Sequence, residues 1–156
     1  MVTTNTEPAA DREIVFDRTF SATRDLVWQA WTTPEHVAQW WGPNGFTNTI
    51  HEMDVKPGGV WRFIMHGPDG TDYPNKVVFS EVVKPSRLVY AHGGDDKGLA
   101  HFHVTVTFDE QDGRTALTMR MLFPSKTARD MTVEKYGAVD GGNQTLARLE
   151  RHLETM

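Results

Sequence analysis

The chain has 156 residues and no cysteine. That absence removes disulfides, thiolate nucleophiles and sulfur-ligated zinc, and it fits a reducing compartment. No apolar run approaches the roughly 18–20 residues that a membrane-spanning helix needs. Basic residues are few and scattered, 16 Lys and Arg against 21 Asp and Glu, for a net charge of −5. Without a positive cluster there is no footprint to displace phosphate counterions or to hold an anionic bilayer. Also missing are a G-x-S-x-G elbow, a phosphate-cradling glycine loop and an H-E-x-x-H helix. The N-terminal MVTTNTEPAADRE has neither the basic start nor the apolar core of a secretory leader. Together these absences predict a cytoplasmic protein with no nucleic-acid partner, no membrane partner and no cofactor.

What remains is an ordinary globular composition, 38% hydrophobic and 24% charged, enough for one domain with a substantial core. Residues 1–11 are small, polar and proline-containing and read as a flexible tail, with a single domain over 12–156. Glu13 to Phe20 alternates as a strand. Ser21 or Thr23 can cap a first helix carrying Val27, Ala30 and Trp31, and Pro34 opens a second with Val37, Trp40 and Trp41. From Phe46 to Phe123 six strand-like runs are separated by turn sequences: Pro57-Gly58-Gly59, Gly67-Pro68-Asp69-Gly70, Lys84-Pro85-Ser86, the stretch from His92 to Gly98, and Asp112-Gly113. Short connections favour antiparallel neighbours. A short helix or an irregular lead-in is expected over Ser125–Tyr136. A long one follows over about 138–153, its apolar stripe formed by Val139, Leu146, Leu149 and Leu153 with Arg148 mostly outside it. The order predicts an α+β fold in which helices cover one face of an antiparallel sheet.

Alternation sorts the strands into faces. Trp61, Phe63 and Met65 share one parity, as do Phe102, Val104, Val106 and Phe108, and Leu117, Met119, Met121 and Phe123. The same pattern groups His51, Met53 and Val55; Val77, Phe79 and Glu81; and Leu88, Tyr90 and His92. Glu81 and His92 are then the polar residues on the inner parity, either an acid–base pair or groups that reach water or pair with Arg62 or Lys84. His101 and His103 point outward, as solvated or cross-strand histidines, so no metal site is expected. Tyr73, Tyr90 and Tyr136 are candidate hydroxyl contacts. Trp31, Trp40 and Trp61 read as fold anchors, and Trp41 as a residue of a cavity mouth.

Three motifs carry a resemblance. The segment 20–47 ends in Trp40-Trp41-Gly42-Pro43. Pro57-Gly58-Gly59-Val60-Trp61-Arg62-Phe63 is followed by His66-Gly67-Pro68-Asp69-Gly70, and the chain closes on Thr145-Leu146-Ala147-Arg148-Leu149-Glu150. This order resembles the SRPBCC (START and birch-pollen-allergen-like) superfamily, and within it the family named for the activator of the heat-shock protein 90 ATPase. The resemblance implies a helix-grip fold: a curved antiparallel sheet of about seven strands wrapped around a long C-terminal helix, often with a cavity between them. The inward parity would then line that cavity with Trp41, Met53, Trp61, Phe63, Met65, Phe79, Tyr90, His92, Phe102, Val104, Met119 and Met121. Gly141 and Gly142 would leave an opening near the start of the helix.

Three functions follow as expectations. One is binding of a small hydrophobic or aromatic molecule between helix and sheet. A second is a polyketide cyclase-like or lyase activity, which the superfamily includes. A third is a co-chaperone that stimulates a heat-shock ATPase; against it, the eukaryotic activator's chaperone-binding domain has no counterpart in these residues. Binding asks least of the side chains present, and no catalytic residue is assigned. Homodimers are common among such proteins, so a homodimer is a further expectation.

Overall fold

The computed structural model describes residues 8–94 and 102–156. After a 3-10 turn at Ala9–Arg12, the chain forms β1 (Glu13–Phe20), α1 (Arg24–Thr32), α2 (Pro34–Trp40), β2 (Thr47–Met53), β3 (Val60–His66), β4 (Asp72–Val83), β5 (Arg87–Gly94), β6 (Phe102–Gln111), β7 (Arg114–Leu122), α3 (Lys126–Tyr136) and α4 (Ala138–Leu153). The strands make one sheet in the order β1-β7-β6-β5-β4-β3-β2, with every ladder antiparallel. This is the α+β helix-grip arrangement. Among the described residues no helix is long and apolar enough to cross a membrane.

Local chemistry explains the helix starts. Thr23 caps α1 by accepting from the Leu26 amide, Pro34 occupies the first turn of α2, where its missing N–H costs nothing, and Ser125 caps α3 through the Ala128 amide. Gly137, at φ +59°, is at once the C-cap of α3 and the N-cap of α4, a left-handed corner suited to glycine.

The core lies between the helices and the inner face of the sheet. Phe63, Val104, Val106, Phe108, Leu117, Leu146 and Leu149 are all buried. Trp40 donates its ring N–H to Ala30 O at 3.0 Å, tying α2 to α1. Fully buried Thr115 donates to Ala22 O at 2.7 Å, tying β7 to the corner between β1 and α1.

Three expectations from periodicity need correction. A β-bulge between Ile50 and Glu52 breaks the alternation of β2, so Ile50 and Met53 pack on the core while His51 is exposed. A second bulge, between Phe79 and Glu81, does the same in β4. Val82 packs on the core, whereas Glu81 pairs with Arg87 at 3.0 Å, its side chain 45% exposed. Val139 is exposed although it falls on the helical stripe; it faces a surface groove beside Ile14 of β1 and Val133 of α3 instead of the core.

Candidate functional site

Beneath the first half of α4 the core is not filled. An apolar cavity of about 190 Å³ remains. Its floor is Met65 on β3, Tyr90 and His92 on β5, Phe102 and Val104 on β6, and Met119 and Met121 on β7. Its roof is Ala138, Gly141, Gly142, Thr145 and Leu146 of α4, and its wall is Trp31, Trp40, Trp41, Gly42 and Pro43. Among the described residues no Asp, Glu, Lys or Arg lines it.

Eight of the twelve side chains expected at a ligand site meet here: Trp41, Met65, Tyr90, His92, Phe102, Val104, Met119 and Met121. The other four lie elsewhere. Trp61 and Phe63 stack on each other with centroids 4.4 Å apart and are separated from the void by Trp41, which meets Trp61 edge-on at 4.8 Å. Phe79 packs edge-on against Tyr90 at 5.9 Å, on the side away from the cavity lining. Met53 pairs across the ladder with Trp61 near the sheet edge. Parity selects a face correctly but cannot tell which residues along that face border a void.

Trp31 and Trp40, expected as anchors, are both anchors and cavity wall. Trp31 meets Trp40, Trp41 and Phe108 edge-on with centroids 5.0, 5.5 and 6.2 Å away, the offset arrangement that aromatic quadrupoles prefer. Gly142 has a packing role as well: a β-carbon there would collide with the tip of the Phe16 ring, so the glycine admits that ring against the helix backbone.

The rim is held by a residue that periodicity placed outside. Arg148 reaches from α4 to five backbone carbonyls: Nη1 donates to Trp41, Gly42 and Pro43 at 3.3, 2.9 and 2.9 Å, and Nη2 to Gln39 and Phe46 at 3.3 and 3.1 Å. A cation is well matched to the free carbonyls at the end of α2. Burial, with a smaller repulsion from Arg151, moves the guanidinium below its ordinary pKa. Gln144 adds a further tie by accepting from the Asn44 amide at 3.0 Å.

His92 is fixed by its neighbours. Asn75 Nδ2 donates to Tyr73 O at 2.8 Å, which leaves Asn75 Oδ1 to accept from His92 Nε2 at 3.0 Å. The ring lies 4.9 Å from Phe102 and 6.0 Å from Phe63, centroid to centroid. Tyr90 is 1% exposed, and burial pushes its hydroxyl far above the ordinary tyrosine pKa, so it stays protonated. Thr145 Oγ1 donates to Gly141 O at 2.8 Å. Tyr73 is exposed, its ring tilted against Phe46 with centroids 5.9 Å apart. His103 is exposed. His101, the turn residues 95–98 and the Tyr136 side chain lie outside the described residues.

A seven-stranded antiparallel sheet gripping a C-terminal helix over an apolar void defines a helix-grip protein of the SRPBCC type. The chain belongs to the family described as Activator of Hsp90 ATPase homolog 1-like protein, whose family model matches residues 21–154. Solved structures agree at the level of fold. A protein from Arthrobacter aurescens superposes with a TM-score of 0.86 at 22% identity, covering 96% of this chain and 90% of its own. One from Nitrosomonas europaea gives 0.81 at 23%, covering 94% and 96%, and one from Rhodobacter sphaeroides 0.82 at 23%, covering 96% and 97%. No curated protein matches the chain in sequence.

Proposed function

We propose that the protein binds a small hydrophobic or aromatic molecule in the cavity under α4. The observation that carries this reading is the void itself: about 190 Å³ lined by aromatic and thioether side chains beneath α4. Native interiors are close-packed, and an unfilled apolar space offers its surface to apolar guests. Methionine suits such a lining because its flexible, polarizable side chain adapts to a guest. The lyase or cyclase alternative lacks the same support. The carboxylate it would pair with His92 is Glu81, which stands outside in an ion pair with Arg87. The reading takes a small molecule as the partner, gives no part to nucleic acid or membrane, and places the protein in the cytoplasm, where a chain without cysteine loses nothing.

Two measurements test it. Mass spectrometry of molecules released on denaturing the purified protein should find a small apolar compound. Titration with a library of aromatic and lipid-like compounds should change the tryptophan fluorescence, since Trp31, Trp40 and Trp41 all border the void. Met119→Trp should fill the space and abolish the response. No response from any compound would overturn the proposal and return these side chains to plain packing.

A further inference from the structure

Resting on that binding reading, we infer that the cavity selects an uncharged, one-ring aromatic molecule carrying a hydrogen-bond acceptor, with the acceptor seated on the Tyr90 hydroxyl. Size, charge and an unengaged hydroxyl on the lining each narrow the class independently.

Size comes first. An apolar protein cavity of ~150 Å³ accommodates benzene, whereas drug-sized ligands occupy pockets of roughly 300–1,000 Å³. At about 190 Å³ the space suits a single ring with a two- or three-atom substituent and is too small to bury a fused-ring lipid whole. Charge comes next. A carboxylate buried here would meet no cation on the lining, and burying an unpaired charge is prohibitive. Arg148 holds the rim, but its terminal nitrogens are spent on carbonyls. His92 directs its Nε2 proton to Asn75, so it would serve as counter-ion only after taking up a second proton.

The other lining donors among the described residues are spent or sit at the rim: the Trp40 ring N–H goes to Ala30 O, and Trp41 keeps 8% of its surface exposed. Thr145 already donates to Gly141 O. The Trp31 ring N–H is unpaired but sealed within its aromatic cluster. Tyr90 lines the void, makes no hydrogen bond through its hydroxyl and is held as the neutral phenol by burial. A buried donor without an acceptor is costly, and a ketone, ether or ester oxygen on the ligand relieves that cost.

The experiment titrates the protein and its Tyr90→Phe variant at pH 8 with acetophenone, ethylbenzene and benzoate, followed by calorimetry and tryptophan fluorescence. Acetophenone should bind about five- to tenfold more tightly than the nearly isosteric ethylbenzene, the worth of one neutral hydrogen bond. Benzoate should bind at least about a hundredfold more weakly than acetophenone. Tyr90→Phe should lower acetophenone to the level of ethylbenzene and leave ethylbenzene unchanged, which also shows that the variant keeps its cavity. If wild type binds ethylbenzene as well as acetophenone, or the variant weakens both alike, the inference fails while the binding reading stands. Benzoate binding as tightly as acetophenone, with proton uptake, overturns it in favour of a His92 counter-ion. If none of the three binds, the inference fails, and the broader library alone decides the binding reading.

Discussion

From Leu146 onward α4 is sealed against the sheet by Leu146, Leu149 and Leu153, at 1%, 0% and 8% exposure, whereas its first half offers Ala138, Gly141, Gly142 and Thr145 to a void. Each buried leucine contributes about 1.5–3 kcal/mol by leaving water. The small residues contribute little of this kind, and the floor beneath them is built of methionines, aromatic rings and Val104. One helix thus does two jobs, anchoring by side-chain volume at one end and roofing by its absence at the other. The same fold can therefore vary the roof without loosening the anchor.

The largest effect expected from breaking this division is at the anchor. Leu149→Ala should destabilise the protein by about 2–5 kcal/mol, the range for truncating a fully buried leucine, read as a lower denaturation midpoint in urea. A variant that melts like wild type would show that the anchoring half has been misread. Next come the two adjacent roof glycines, which should respond differently. Gly142→Ala must displace the Phe16 ring and should cost about 1–3 kcal/mol. At Gly141 a β-carbon meets only Pro43 Cγ at 3.2 Å, and a gain of up to about 1 kcal/mol in helix propensity offsets that contact. Equal melting temperatures for the two variants would contradict the Phe16 contact.

The smallest effect concerns pH at the anchored end. His152 Nε2 and His36 Nδ1 are 2.9 Å apart, joining α4 to α2. Burial first, and then repulsion from His36, lower the His152 pKa from 6.5. The unfolded chain then binds more protons than the folded one. This contribution to stability is complete above pH 6.5 and is lost as pH falls through the lowered folded value. Melting temperatures measured from pH 8 to 5 should fall less steeply in His152→Gln than in wild type. Parallel curves would remove the pair from the pH response.

Much of this was legible from residue order alone. The seven strands, the bounds of α4, and the inward parity of Trp61 and Phe63, of Phe102 to Phe108 and of Leu117 to Phe123 follow from local alternation, which each strand carries within itself. The bulges at His51 and Ser80 were not legible, because one inserted residue puts the two sides of a strand out of phase while leaving composition unchanged. Nor was the role of Arg148. Its partners are backbone carbonyls about a hundred residues away, and carbonyls have no letter in a sequence. Trp31 and Trp40 were recognised as core but not as cavity wall, since a void is defined by what fails to fill it.

The Arg148 fork has one more consequence, for heredity. All five of its partners are main-chain oxygens at positions 39 to 46, so the hold on the rim does not depend on which side chains the rim carries. Mutations between Gln39 and Phe46 can alter what the cavity admits without releasing the segment from α4. Replacing Arg148 itself, even by lysine with its single compact ammonium, releases the whole rim at once. Descendants of such a gene can drift toward new ligands through the rim while this arginine stays fixed.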